Sequence, residues 1–319
     1  MYYRVRKNKM DISVVVPTRG RESSLNSTLR ALERQSLDHS QFEVIVVDNS
    51  PRGDVRERIE SFSTKSGFNI RYFNEPVPGK SRAMKRGIRE ARGEFIAATD
   101  DDCIPREDWL EIVLNDFRAE PEDVYSIVGK VLPFDGETEM YTAVGEERGR
   151  RITYQSWPAR ARVGTIGNGS NAVYRRRAFE EFGDFLFFLG PGSPFHSGEE
   201  AEFFYRLLKG GKKIVFLPDS VVFHDPFRPI SENHLREQET HHALGAMYAH
   251  HIGRGDLFLT FLLPVRLVGI SLLSILLHLR RLILPSSKFH FSFRPACIRS
   301  FFLGFVRYFK KQNDCRQND

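Results

Sequence analysis

Residues 95–105 read FIAATDDDCIP, an apolar run that ends directly in three consecutive aspartates. The run from Phe95 to Ala98 has the length and composition of a strand in the core of a sheet. Such a strand places the carboxylates of Asp100, Asp101 and Asp102 at one end, where their mutual repulsion disfavours ionisation of all three. A divalent cation relieves that repulsion, because Mg²⁺ and Mn²⁺ prefer oxygen ligands and are commonly shared with substrate phosphates. The stretch therefore predicts a metal site at a strand end, with a solvated acidic turn as the alternative.

Three more β-branched runs precede this stretch and are predicted as strands: Ile12 to Val16, Phe42 to Val47 and Ile70 to Phe73. Helical patterns lie between them, and one repeats leucines at helical steps, at Leu25, Leu29 and Leu32. Ser23 or Ser24 is expected to cap this first helix, and Gly93 to close the third. The alternation predicts an α/β fold with a mostly parallel sheet flanked by helices and a ligand crevice at the carboxyl ends of the strands.

The chain after the acidic run continues the alternation. Further strands are predicted at Ser126 to Leu132, Ala172 to Tyr174 and Lys213 to Leu217. Pro218 is expected to end the last of them, and a helix is predicted from Glu200 to Leu208. Residues 136–164 are polar and poorly patterned, which indicates an insertion.

The net charge of +6 is unevenly distributed along the chain. Residues 241–319 contain 11 Lys and Arg against 3 Asp and Glu, whereas residues 1–240 contain 36 against 38. A near-neutral body with a basic, apolar tail fits an anionic lipid surface better than nucleic acid, so no nucleic-acid partner is expected. The three cysteines have no spacing typical of a zinc site or a disulfide framework, which favours a reducing compartment.

The tail carries two apolar stretches. Leu257 to Leu284 is interrupted by Arg266, and its longest charge-free part, 13 residues, is shorter than the roughly 20 that span a bilayer. Ile298 to Lys311 mixes phenylalanines with basic residues, as interfacial anchors do. A membrane-directed helical tail is therefore expected, peripheral rather than spanning, with a helical cap on the body or a dimer interface as alternatives. The apolar run after the basic first ten residues is too short for a signal peptide, so export is not expected. Together with the tail, this predicts a location at the cytoplasmic face of the cell membrane.

Five segments resemble, in their order along the chain, the family-2 glycosyltransferases of the GT-A fold. They are ISVVVPTRGR (12–21), VIVVDNS (44–50), PGKSRAMKRGIREARGEFI (78–96), TDDDCIP (99–105) and GEEAEFFYRLLKGGKKIVFLPDSVVFH (198–224). The resemblance covers about residues 11–224. It implies metal-dependent transfer, with inversion, from a nucleoside-diphosphate sugar to a saccharide or lipid-linked acceptor. A UDP-sugar is the first expectation for the donor, followed by GDP- and dTDP-sugars.

The resemblance also implies roles for individual residues. Nucleotide contacts are implied for Pro17, Thr18, Asp48, Lys80, Arg82 and Asp100. Asp102 and His224 are implied as ligands of Mn²⁺ or Mg²⁺, although His224 is as readily a structural histidine. Alternative interpretations stay open for Pro17 as the end of a strand and for Asp48 as the shaper of a turn. Cys103 stands where many relatives carry an acidic residue, so its role is open.

The acidic pair Glu199 and Glu200 is implied as catalytic, since one carboxylate must accept the proton of the acceptor hydroxyl. The second position is usually Asp in the family, and Glu200 here leaves open which glutamate is the base. The alternative is two acids that stabilise a helix N-terminus. Contacts to donor or acceptor sugar are implied for Asn168, Gly169 and Asn171, with a tight turn as the alternative.

The expected organisation is a basic segment (1–10), a catalytic domain (11–240) and a helical tail (241–319). Within the catalytic domain, residues 11–133 form the nucleotide-binding half and 134–240 the acceptor half. Two rival functions remain at this point: a nucleotidyltransferase built on a similar sheet, and an inactive membrane-associated subunit that binds glycan or nucleotide.

Overall fold

The computed structural model describes residues 10–53, 55–66, 68–134, 149–224, 233–268 and 295–317. Most of the basic segment 1–10, residues 136–148 of the expected insertion and residues 269–284 of the first apolar tail stretch lie outside them. The described end of the insertion contains β7 (Ile152–Tyr154) and α5 (Ser156–Arg160). The hydrophobic pattern of the sequence did not predict these two short elements.

The first half of the sheet is parallel. It contains β1 (Ile12–Thr18), β2 (Phe42–Asp48), β3 (Ile70–Asn74) and β4 (Phe95–Ala98), in the spatial order β3-β2-β1-β4. The connecting helices are α1 (Glu22–Glu33), α2 (Arg56–Ser66) and α3 (Lys80–Glu90). Strands β1, β2 and β4 are buried along their whole length, as expected for parallel strands that helices cover on both faces.

The second half makes the sheet mixed. Its strands are β5 (Cys103–Pro105), β6 (Val124–Pro133), β7, β8 (Ala172–Arg175) and β9 (Lys213–His224). Its helices are α4 (Trp109–Ala119), α5, α6 (Arg177–Phe182) and α7 (Glu199–Lys209). The order continues β4-β8-β6-β9-β5, with β8 antiparallel to both β4 and β6 and with β6 parallel to β9. The α/β fold and every predicted strand are confirmed, and the sheet joins the two expected halves of the catalytic domain.

Three predicted boundaries were wrong. Helix α1 begins at Glu22 with Arg21 at its N-cap, so neither Ser23 nor Ser24 caps it. Helix α3 ends at Glu90, and Gly93 instead packs against β1, where an added Cβ would lie 2.5 Å from the Ser13 nitrogen. Strand β9 continues past Pro218, because the register with β6 shifts there and accommodates the proline in an irregular stretch.

The chain divides into two compact units, Met1–Ser193 with Glu199–Ile230 and Pro194–Gly198 with Ser231–Asp319. The second unit contains α8 (Asn233–Ile252), α9 (described over residues 257–268) and α10 (Pro295–Gln317). Helices α8 and α10 pack closely through glycines: a Cβ on Gly245 would lie 2.0 Å from the Phe301 carbonyl oxygen, and one on Gly304 1.9 Å from that of His242. The expected tail is therefore helical where it is described.

Candidate active site

The acidic run lies where the strand order reverses direction. Strand β1 has β2 on one side and β4 on the other, and all three strands end at the same edge of the sheet. Crevices at such switch points are the usual ligand sites of open α/β sheets. Thr18, at the end of β1, donates a hydrogen bond of 2.6 Å from Oγ1 to Asp101 Oδ2, which ties the run to this crevice.

Arg21 neutralises part of the acidic run. Its guanidinium donates to Asp102 Oδ2 at 2.6 Å and, through its other terminal nitrogen, to Asp101 Oδ1. Burial raises the pKa of Asp101, while the hydrogen bond from Thr18 and the charge of Arg21 oppose that rise. The carboxylates of Asp101 and Asp102 are thus held by protein donors, and Arg21 is a site residue that the sequence reasoning missed.

Lys80 joins two acidic clusters that lie far apart in sequence. As the first residue of α3, it places Nζ 2.5 Å from Asp100 Oδ1 and 3.7 Å from Glu199 Oε1. Burial alone would lower the pKa of Lys80, but the neighbouring carboxylates of Asp100 and Glu199 raise it overall. The same ammonium lowers the pKa of Asp100 against the effect of burial. Lys80 is therefore a permanent cation, and Asp100 is an anion at neutral pH.

Glu199 and Glu200 begin α7 and have different surroundings. The Glu199 side chain is 8% exposed, and its carboxyl lies beside Gly190, where an added Cβ would come within 3.1 Å of Glu199 Cδ and of Oε2. Burial and the charge of Glu200 raise the pKa of Glu199 to about 8. Glu200 is less buried, and its side chain borders Gly169, where an added Cβ would lie 3.7 Å from Glu200 Cβ and from Cδ. Glu199 is thus protonated at neutral pH and enclosed, whereas Glu200 lies next to the 168–171 segment.

The 168–171 segment is a single 3₁₀ turn with a structural asparagine at its end. Asn168 accepts a hydrogen bond from the Ser170 nitrogen and caps the turn. Asn171 is fully buried; its amide donates to the carbonyls of Lys130 and Ser220 and accepts from Trp109 Nε1 and Ser220 Oγ. These four bonds give the Asn171 amide a structural role, and a sugar contact for Asn171 stays a prediction. Gly169 lies next to Glu200, and sugar contacts for Asn168 and Gly169 stay predictions.

Asp102 and His224 form a candidate metal centre. The pairing of β5 with β9 sets Cys103 opposite His224, and His224 Nε2 lies 3.5 Å from Asp102 Oδ1. Ligand atoms of Asp102, Cys103 and His224 all lie within 4.8 Å of one another. Among the residues that the structure describes, none forms a hydrogen bond with the buried Nδ1 of His224, which leaves this nitrogen available to a ligand. A carboxylate with an imidazole fits Mn²⁺ and, less well, Mg²⁺. Burial and the charges of Asp100 and Asp102 raise the pKa of the Cys103 thiol, which makes it a weaker ligand than the other two.

Asp48 and Pro17 lie at the same edge of the sheet, and Arg82 lies in the first turn of α3. Asp48 is fully buried at the end of β2 and accepts hydrogen bonds from the nitrogens of Ser50 and Val55 and from the Tyr72 hydroxyl. These bonds are those of a turn-shaping residue, and a nucleoside contact for Asp48 stays a prediction. Pro17 is buried next to Thr18 in β1, and the Arg82 guanidinium stacks 4.4 Å above the Phe187 ring.

A loop before α7 completes the site and was not predicted. The Leu189 carbonyl accepts a hydrogen bond of 2.8 Å from Ser81 Oγ, and the Pro191 carbonyl accepts one of 2.9 Å from the Lys80 nitrogen. Gly190 and Gly192 have φ of +93° and +77°, a conformation that favours glycine. The Gly-Pro-Gly sequence at 190–192 was the signal for this loop, which fixes the start of α3 and therefore the position of Lys80.

Comparisons with known proteins agree with this geometry. A family model described as glycosyl transferase family 2 matches residues 13–183. The glycosyltransferase AglE of Haloferax volcanii is 25% identical over 223 residues, which cover 69% of this chain and 68% of AglE. The succinoglycan biosynthesis protein ExoM of Rhizobium meliloti is 28% identical over 240 residues, which cover 72% of this chain and 74% of ExoM.

Two groups of solved structures share the fold. Mannosyltransferase PcManGT from Pyrobaculum calidifontis, solved with GDP-Man and Mn²⁺, has a TM-score of 0.63 and 18% identity, and the match covers 95% of this chain and 88% of that one. Residues 1–349 of TarS from S. aureus, solved with UDP-GlcNAc, have a TM-score of 0.57 and 18% identity, with 75% and 66% covered. The chain thus spans about two thirds of that TarS fragment.

Proposed function

The chain belongs to glycosyl transferase family 2, whose model covers more than half of it, and from that membership we propose a specific reaction for this glycosyltransferase. It transfers a sugar from a nucleoside-diphosphate donor to a hydroxyl of a saccharide or lipid-linked acceptor, with inversion at the anomeric carbon. One observation carries the proposal: Lys80 contacts both Asp100 of the acidic run and Glu199 of the α7 pair. The two motifs therefore form a single site.

The donor is a sugar nucleotide, with UDP-sugars as the first candidates. Structures that share the fold hold UDP-GlcNAc in TarS and GDP-Man in PcManGT. In this chain, Thr18 and Asp100 lie at the ends of neighbouring strands, where a nucleoside would bind across the switch point. The cations Lys80 and Arg21 lie beside them and suit the negative charge of a diphosphate.

Asp102 and His224 would hold the divalent ion, and the imidazole favours Mn²⁺ over Mg²⁺. A bound ion supplies positive charge to the departing nucleoside diphosphate. Lys80 supplies a second, fixed positive charge beside Asp100, because its neighbouring carboxylates raise its pKa and keep it protonated.

Glu200 is the base in this proposal. Glu199 keeps its proton at neutral pH because burial and Glu200 raise its pKa to about 8, so it is poorly suited to accept the proton of the acceptor. Glu200 is the more exposed of the two and borders Gly169, in the segment predicted to lie near the sugars. A carboxylate in this position can take the proton of the acceptor hydroxyl as the hydroxyl attacks the sugar carbon. A single displacement of this kind inverts the anomeric centre.

The acceptor class is proposed from the relatives. ExoM is described as a succinoglycan biosynthesis protein, which makes a growing saccharide the first acceptor to test. Lipid-linked saccharides follow as the second class.

The proposal is tested by incubating the protein with a panel of UDP-, GDP- and dTDP-sugars with Mn²⁺ or Mg²⁺ and following release of the nucleoside diphosphate. We expect metal-dependent release from one donor. Asp102→Asn and His224→Asn should lower the release that Mn²⁺ or Mg²⁺ stimulates and raise the metal concentration it needs. Asp219→Asn, which changes an exposed acid, should behave as wild type. Nucleotide binding without release from any donor, even with membrane lipid and saccharide extracts present, would instead favour an inactive binding subunit.

A further inference from the structure

In the described part of the chain, helix α10 has one buried side and large apolar residues that are exposed elsewhere on its surface. Its buried positions recur at helical spacing along the side that packs on α8: Cys297, Phe301, Gly304 and Tyr308. The Tyr308 hydroxyl lies 2.8 Å from His250 Nδ1 and accepts a hydrogen bond from Arg254, which fixes this packing at the far end. This side of α10 is therefore fully used within the second unit.

The exposed surface of α10 carries large apolar side chains among its basic residues. Four large side chains on it are 39% to 53% exposed: Phe302, Leu303, Val306 and Phe309. A helix whose only task was to pack on α8 would carry polar residues here. Burial of such side chains is a main driving force of association, so this side indicates a further partner.

Helix α9 repeats the feature independently. Its exposed apolar residues are spaced by four, four and three positions and are 57% to 73% exposed: Leu257, Phe261, Val265 and Val268. Leu259 is fully buried, so the helix already has a packed side apart from this row. Two helices of the same unit thus present large apolar side chains to solvent.

The charges of the sequence from Leu257 to Lys311 indicate the chemistry of the partner. The chain contains no Asp or Glu between Leu257 and Lys311, but it contains nine Lys and Arg in that interval. On α10 the exposed members are Arg299, Arg307, Lys310 and Lys311. Basic residues flanking exposed Phe, Leu and Val match the interface of an anionic bilayer, where apolar side chains enter the acyl boundary and cations bind headgroups.

We propose that α9 and α10 dock the protein on the surface of an anionic lipid bilayer through these two apolar rows. Within the described ranges no helix is both long enough and apolar enough to cross a membrane. Nucleic acid fits less well, because it would leave the phenylalanines and leucines in water. The cytoplasmic leaflet is the matching surface, since it carries anionic lipids. The proposal is independent of the reaction proposed above, because it needs only the second unit's surface.

The test is co-sedimentation of the full chain with vesicles of phosphatidylcholine alone or with 30% phosphatidylglycerol. We expect binding to the anionic vesicles, at least about tenfold weaker binding to neutral ones, and loss of most binding in 0.5 M NaCl. A quadruple variant carries Phe261→Ser and Val265→Ser on α9 with Phe302→Ser and Val306→Ser on α10. It should lower the partition coefficient into anionic vesicles at least about tenfold.

A matched control separates these surfaces from general hydrophobicity. Phe134→Ser/Trp157→Ser removes exposed aromatic residues of the first unit and should bind vesicles as wild type does. Folding of every variant is checked by its melting temperature. Wild-type binding by the quadruple variant would overturn the proposal, as would equal affinity for neutral and anionic vesicles. A stable wild-type dimer in sedimentation velocity that the quadruple variant abolishes, without vesicle binding, would assign the surface to a second copy of this chain instead.

Discussion

Replacement of Arg21 by Gln should tighten Mn²⁺ binding in the absence of nucleotide. The Arg21 guanidinium donates to Asp102 Oδ2, and Asp102 is also the proposed metal ligand. An ion that binds Asp102 must therefore compete with this hydrogen bond and with the positive charge of Arg21. Gln at this position removes both, while it keeps a polar side chain at the start of α1.

The size of the effect follows from the exposure of Arg21. Charge-assisted hydrogen bonds are worth about 1.5–3 kcal/mol when buried, and exposed ion pairs only about 0.2–1 kcal/mol. The Arg21 side chain is 49% exposed, so we take a value between these ranges, about 1–2 kcal/mol for the lost bond and the lost repulsion together. This corresponds to Mn²⁺ affinity about 5- to 30-fold higher than that of wild type.

The affinity is measured by calorimetry or from the electron paramagnetic resonance signal of free Mn²⁺, which needs no turnover. Arg30→Gln is the matched control, because it removes an exposed positive charge from the same helix away from the acidic run. Its affinity should stay within twofold of wild type. Equal or weaker Mn²⁺ binding by Arg21→Gln would refute the reasoning, since Arg21 would then help to hold the ion or leave it unaffected.

Two further predictions concern stability. Asn171→Ala should lower the free energy of unfolding by at least about 3 kcal/mol in urea titrations, because it leaves buried partners such as Trp109 Nε1 unbonded; a loss under about 1 kcal/mol would contradict the structural role. Glu199→Gln should gain stability relative to wild type as pH rises. Because folding raises the pKa of Glu199 from its usual 4.5 to about 8, its contribution is fully present below pH 4.5 and is lost as pH rises through 8. Gln does not titrate, so the melting temperature of Glu199→Gln minus that of wild type should increase between pH 5 and 8. A difference that stays constant with pH would show that Glu199 is ionised throughout.

The sequence predicted the strands well because their signal is local. Uninterrupted β-branched runs such as Ile12 to Val16 are typical of strands that are buried on both faces, and β1 is such a strand. Helix starts were harder to predict. Ser23 and Ser24 are favourable caps, yet α1 begins at Glu22. Arg21, at the N-cap position, extends its side chain to the acidic run, a contact between residues 80 positions apart. The prediction that Pro218 ends its strand was also wrong, since only the pairing with β6 shows how the strand accommodates the proline.

In the candidate site, too, local sequence patterns could be predicted and contacts between distant residues could not. The acidic run, Lys80 and the α7 pair could be found by sequence pattern, and the structure brings them together. The structural bonds of Asn171 could not be predicted from its own segment, because the partners of its amide come from β6, β9 and α4. The different pKa behaviour of Glu199 could not be predicted, because it depends on burial against the Gly190 loop.

The most direct test of the account is the rate of sugar transfer by Glu200→Gln, measured at pH 7 with the donor that the panel identifies, beside Glu199→Gln. If Glu200 is the base, its replacement should lower the turnover rate by about 10²- to 10⁴-fold and leave the dissociation constant of the nucleoside diphosphate within about twofold of wild type. Glu199→Gln should keep its rate within about tenfold, because Gln resembles the protonated carboxyl that Glu199 already is at this pH. A Glu200→Gln enzyme that transfers sugar at the wild-type rate would contradict the assignment of this site.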